Sequence, residues 1–266
     1  MPVEIGLEMY AEKPVVLPLF TGYVARGLLL HAVRRIDPAT SELLHELNVR
    51  KPYSVTPMRF KSKQRAENGY ELDPHAPCFV SFRFLRDEYS MFILNYFQKE
   101  SSVLVFDTVF RVASLSVNCK SYVDLENEAQ AADRFRLVFR TPTYFASLGS
   151  SFRWMFPDAV KVFAGLMRVW NLFSDSRRFG KEEYLAYKEW LEKNVGVCEY
   201  DLHTRLAVMR KKKATGFVGW VTYEMKDTES EWNRITCMLA RYAEYSNVGG
   251  NRTCGFGIVR MLPYKT

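Results

Sequence analysis

Ser246-Asn247-Val248-Gly249-Gly250-Asn251-Arg252-Thr253-Cys254-Gly255-Phe256-Gly257 places four glycines within nine residues. Before it, Thr228–Tyr245 reads as a helix with Trp232, Ile235, Leu239 and Tyr242 on one face. After it, Gly255–Leu262 reads as a closing strand. Glycine permits positive φ and lets a second backbone come close. Asn251, Arg252 and Thr253 add donors, so free amides around an arginine predict a phosphate cradle. The same glycines also suit a helix C-cap followed by a bulge. The loop precedes a strand, which excludes a dinucleotide fingerprint, and it lacks the Gly-Lys-Ser/Thr ending of a P-loop.

Working back from this loop, Val197–Met209 and Thr215–Met225 read as strands joined by the turn Arg210–Ala214. Asp158–Phe173 and Lys181–Asn194 are helical, and Arg134–Arg140 is a strand ended by Thr141-Pro142. Asn118–Asp133 is polar and reads as a linker. In the first half, Val3–Tyr10 is a short strand, and Thr21 caps a helix to Ile36. Asp37-Pro38 restarts a helix to Leu47. Tyr53–Phe60 and Cys78–Leu85 are strands separated by the loop-like Lys61–Pro77, Asp87–Lys99 is a helix, and Ser102–Val117 is a strand or strand pair. Each half therefore carries the ferredoxin-like order of elements. The expected fold is α+β: two tandem ferredoxin-like (RRM-like) domains with antiparallel sheets, residues 1–125 and 130–266.

The 266 residues are long enough for two such domains without a disulfide or metal staple. Lys and Arg outnumber Asp and Glu by 37 to 30, and aromatics reach 15%. That balance permits nucleic acid as a partner, and it suits a basic protein with a bulky core equally well. Cys78, Cys119, Cys198, Cys237 and Cys254 lie far apart without a CxxC pair, and the four histidines form no HxxxH or HxH pair. This predicts reduced intracellular thiols, no metal site and no cofactor. The opening residues have no basic cluster and no apolar run is long enough to span a bilayer. The expectation is a cytoplasmic protein with no membrane association.

The segments Phe217–Met225 (FVGWVTYEM) and Leu239–Met261 (LARYAEYSNVGGNRTCGFGIVRM) resemble the C-terminal signature of the CRISPR-associated endoribonucleases that process repeat RNA. That signature has two Gly-hydrophobic-Gly units. Gly255-Phe256-Gly257 matches the second. Val248-Gly249 matches the first, with Asn247 where the family usually has Gly; Asn tolerates positive φ, so the loop shape survives. Leu137–Phe145 (LVFRTPTYF) and the helix ending at Arg168-Val169-Trp170-Asn171 are also similar. The resemblance implies CRISPR repeat RNA as partner, bound near the domain junction. It implies metal-independent cleavage in which the 2′-hydroxyl attacks the adjacent phosphate, leaving a 2′,3′-cyclic phosphate and a 5′-hydroxyl. A non-cleaving repeat-RNA-binding subunit on the same scaffold is the alternative. Other CRISPR-associated proteins of an interference complex and a second copy in a homodimer are further partners in keeping with it.

Such a reaction needs a base, an acid and a cation. Leu44-His45-Glu46, followed by Lys51 before an aromatic strand, resembles the active-site segment of some members. By that match His45 transfers the proton and Lys51 stabilises charge. His31 on the first helix is the competitor, since Leu30 stands near the place where some members have a catalytic tyrosine and cannot transfer a proton. Tyr23, two turns earlier, is a candidate for orienting a phosphate or ribose. The RNA-binding candidates are the basic turn Arg210, Lys211, Lys212 and Lys213, together with Gly249, Gly250, Asn251, Arg252, Gly255 and Gly257. The basic turn also suits a solubilising strand cap.

Overall fold

The structure is a computed structural model, and it describes residues 1–46, 49–147, 149–209 and 212–264. The chain runs β1 (Val3–Ala11), β2 (Val16–Pro18), α1 (Gly22–Ile36), α2 (Pro38–His45), β3 (Tyr53–Val55), β4 (Ser62–Ala66), β5 (Gly69–Leu72), β6 (Cys78–Phe84), α3 (Ser90–Lys99), β7 (Ser102–Val105) and β8 (Thr108–Cys119). It continues with α4 (Tyr122–Asn127), β9 (Arg134–Thr143), β10 (Phe145–Ala146), β11 (Arg153–Trp154), a π turn at Val160–Ala164, α5 (Gly165–Phe173), α6 (Lys181–Asn194), β12 (Val195–Met209), β13 (Lys212–Met225), α7 (Glu231–Ser246) and β14 (Val259–Pro263). Among the described residues no helix is long and apolar enough to cross a membrane.

Two antiparallel sheets carry the fold, ordered β3-β6-β1-β8-β7 and β12-β13-β9-β14. Leaving out the β7 edge, each places its first strand between its third and fourth, which is the ferredoxin-like arrangement expected from the element order. In β1 the pattern decides which face goes inward: Val3, Ile5, Leu7, Met9 and Ala11 are buried while the residues between them are half-buried. α1 covers this sheet with Ala25, Leu28, Leu29, Ala32 and Val33. The second core is built of larger rings: Trp170, Tyr187, Tyr223 and Tyr242 are all fully buried.

Two segments differ from their sequence reading. Lys61–Pro77 is not a plain loop: β4 and β5 pair there, and β2 adds to β5 as a small third sheet. β4 (Ser-Lys-Gln-Arg-Ala) is almost wholly exposed, so no alternation marks it. Asn118–Asp133 is not a bare linker either. α4 starts in a Ser121–Asp124 capping box, and its Tyr122 and Leu125 pack in the second core. The chain thus crosses from the first sheet to the second near Lys120. Thr21 precedes α1 without a side-chain cap; its hydroxyl donates to the Met58 carbonyl. Asp37 does cap α2, accepting from the Ala39 and Thr40 amides. The helix expected to reach Leu47 ends at His45, and Leu47 lies outside the described residues.

Candidate functional site

The glycine-rich loop follows α7 and folds onto the first half of the chain. Gly22 at the start of α1 sits so close to the loop that a Cβ there would lie 1.9 Å from the Cys254 carbonyl oxygen. Phe256 meets Phe20 edge-on at 5.0 Å. Ser54 of β3 donates to the Tyr245 carbonyl at 2.9 Å, and Arg83 of β6 donates to the Asn247 side chain at 3.2 Å. Asn247 adopts φ +55°, as its tolerance of positive φ predicts, and its side-chain amide donates to the Phe256 carbonyl. Gly257, at φ +68°, leaves no space for a side chain: a Cβ would stand 1.7 Å from the Val248 oxygen.

This geometry corrects one expectation. The amides of Val248, Gly250, Cys254, Gly255, Phe256 and Gly257 all donate to protein carbonyls, so they are not free for a phosphate. The glycines serve close packing and left-handed backbone instead. Arg252 also works from inside: its guanidinium donates to the Ser246 carbonyl at 2.7 Å, satisfying the end of α7. Burial pushes its pKa down to about 10, so it remains charged near neutral pH. Asn251 is exposed and left-handed.

Lys51 is 8% exposed, and its ammonium donates to the Leu43 carbonyl at 2.9 Å, two residues before His45. Burial lowers the Lys51 pKa from the ordinary lysine range; the Glu46 carboxylate opposes this and the Arg26 charge adds to it. His45, in the last turn of α2, is exposed. Lys51 and His45 thus both lie at the C-terminus of α2, which forms a small platform. Arg26 of α1 lies beside it and also reaches Cys254 of the loop, with Nη1 3.7 Å from the Cys254 Sγ. Tyr53 is fully buried between Arg26 and the loop, and burial raises its pKa. Arg26 had no signal of its own in the sequence beyond an arginine flanked by the core residues Ala25 and Leu29.

His31 and Tyr23 lie elsewhere. Both face an apolar groove of about 270 Å³ between the outer face of α1 and the β7–β8 hairpin. His31 packs edge-on to Tyr96 at 6.1 Å, and Tyr23 is 52% exposed. A cleft of about 570 Å³ separates the two halves and carries Arg59, Arg140 and Arg205. Arg205 lies on β12, which leads to the basic turn. Arg210 and Lys211 of that turn lie outside the described residues; the backbone of Lys212 pairs with Met209, and Lys213 is exposed. A third cavity, of about 410 Å³, is walled by Gly249 and Gly250 and carries Arg50, Lys161, Arg168 and Arg252.

The profile of the CRISPR-associated endoribonuclease Cas6 matches residues 137–259, the span from β9 to the start of β14. The chain resembles the Cas6 family. The CRISPR-associated endoribonuclease Cas6 of Streptococcus thermophilus is 23% identical over 154 residues, and the match covers 58% of this chain and 61% of that relative. In three dimensions the likeness extends over both halves. A Cas6 product complex superimposes with a TM-score of 0.82 at 23% identity, covering 98% of this chain and 99% of the other. A Cas6 of Thermus thermophilus gives 0.76 with 98% of each chain covered, also at 23% identity. A product of a Cas6-related gene from Pyrococcus furiosus gives 0.61 at 12% identity, with both chains fully covered. These likenesses establish the Cas6 fold for the whole chain.

Proposed function

We propose that this chain is a Cas6-type endoribonuclease that cuts CRISPR repeat RNA in the precursor transcript. The observation that carries this reading is the platform at the α2 C-terminus: exposed His45 two residues beyond the carbonyl that holds the buried Lys51 ammonium. In this reading a strand laid across it meets His45 as proton acceptor and Lys51 as cation. The Cas6 profile and the Cas6 fold support it, as does the packing of the glycine-rich loop beside Arg26.

In this reading His45 takes the proton from the RNA 2′-hydroxyl as that oxygen attacks the adjoining phosphorus. The P–O5′ bond breaks as the new P–O2′ bond forms, and the departing O5′ takes a proton from solvent water, leaving a 2′,3′-cyclic phosphate on one fragment and a 5′-hydroxyl on the other. Lys51 stabilises the charge that builds on the phosphorane oxygens. Its ammonium is already oriented by the Leu43 carbonyl and needs little reorganisation. Arg26 adds a second positive charge from α1. His31 lines the apolar groove, edge-on to Tyr96, and is assigned packing.

The test is incubation of the protein with CRISPR repeat RNA in excess chelator. Cleavage with a 2′,3′-cyclic phosphate end is the expected result. Tight binding of the RNA with no cut would instead make the chain a non-cleaving subunit.

A further inference from the structure

The 410 Å³ cavity beside the glycine-rich loop holds four cationic side chains from three separated parts of the chain. Arg50 comes one residue before Lys51. Lys161 lies in the π turn and Arg168 in α5. Arg252 comes from the loop itself. No described carboxylate forms an ion pair with any of the four, although thirteen ion pairs occur among the described residues. Gathering like charges without a counter-charge costs free energy unless an anion completes the site. Charges among the four groups also act on one another. Arg50 reaches solvent at the mouth, yet partial loss of its hydration and then the charge of Arg168 lower its pKa. Arg252 is depressed by burial, and Arg50 adds to the fall. One wall is a π turn, an irregularity that often marks a functional position.

We infer that this cavity seats a backbone phosphate of the RNA next to the cut, with Arg50 and Arg168 at the mouth and Arg252 beneath. This rests on the reading of the chain as an RNA-cutting protein and adds residues that reading does not use. The location selects RNA over a free anion. Arg50 directly precedes Lys51 in the chain, so the cavity shares a segment with the proposed cleavage platform. The neighbouring Gly249 and Gly250 line this wall and pack tightly against Tyr144.

The experiment compares wild type with Arg50→Gln and Arg168→Gln for binding of a 5′-labelled single-stranded oligouridylate over a range of salt. Each variant is expected to bind about tenfold more weakly. The salt slope, log K against log salt, is expected to flatten by about 0.7 for each charge removed. Melting temperature separates this from misfolding: relief of like-charge repulsion leaves each variant melting at or above wild type. Arg168→Lys, which keeps the charge, is expected to recover most of the slope. Unchanged affinity and slope in both Gln variants would overturn the assignment. Thermal stabilisation by sodium pyrophosphate that both variants lose, with no RNA binding by wild type, would overturn it in favour of a free anion. Wild-type RNA binding lost in both variants, with no cleavage by wild type, would sustain the phosphate seat and sink the nuclease reading.

Discussion

The two sheets share a strand order and differ in how the last helix returns to the sheet. In the first half, α3 leads through Glu100-Ser101 into the β7–β8 hairpin, and the connection stays on its own sheet edge. In the second half, α7 leads into the glycine-rich loop, which leaves its own sheet and presses against α1, β3 and β6 of the first. The difference shows how a repeated topology acquires a site. In the proposed reading one half supplies His45 and Lys51, and the other supplies a loop packed against that half. Neither half alone contains both.

The largest effect is expected where the second half's loop loses its shape. Gly257→Ala places a methyl against the Val248 oxygen at a left-handed φ, costing at least about 3 kcal/mol. Chemical denaturation is expected to show that loss together with loss of RNA binding. Normal stability in this variant would mean that the loop is not the rigid connector. Next comes the first half's platform. Lys51→Ala is expected to slow cleavage by about 10²-fold or more with RNA affinity changed by no more than about threefold. An equal fall in affinity and rate would make Lys51 a binding group only.

The environment of Lys51 also gives a pH signature. Burial lowers its pKa, so its charge is lost as pH rises at a lower pH than for a free lysine. Cleavage is expected to decline on the alkaline side before the ordinary lysine range. Lys51→Arg keeps its charge there, so any remaining activity is expected to hold to higher pH. A limb that does not move would assign it to another group. The smallest effect is expected at the outer face of α1. His31→Ala removes a packing contact with Tyr96 and is expected to change the cleavage rate by less than about threefold.

Sequence patterning revealed the second half better than the first. α6 begins and ends where its periodicity predicts, and the β12–β13 pair is marked by its apolar runs and the basic turn between them. β4 was invisible because a strand with no buried face carries no alternation. α4 was hidden because Tyr122 and Leu125 are isolated apolar residues in polar surroundings, and their burial depends on a partner core from elsewhere in the chain. His45 and Lys51 were singled out by the resemblance of their segment, and the structure sets the Lys51 ammonium on the Leu43 carbonyl, two residues before His45. Arg26, Arg50 and Arg168 were not singled out, since only tertiary folding brings α1, the segment before β3 and α5 toward one loop. The loop glycines were read correctly as essential to backbone shape. The amides of Gly250 and Gly257 were read as free, but they donate to the Tyr144 and Pro142 carbonyls, which are distant in sequence.

In the proposed reaction His45 on the α2 platform, and not His31 on α1, moves the proton. Single-turnover cleavage of CRISPR repeat RNA in excess chelator by wild type, His45→Ala and His31→Ala tests it directly. The expected result is a loss of about 10²-fold or more in His45→Ala, near-wild-type rates in His31→Ala, and a 2′,3′-cyclic phosphate on the wild-type product. Cleavage abolished by His31→Ala and retained in His45→Ala would contradict it.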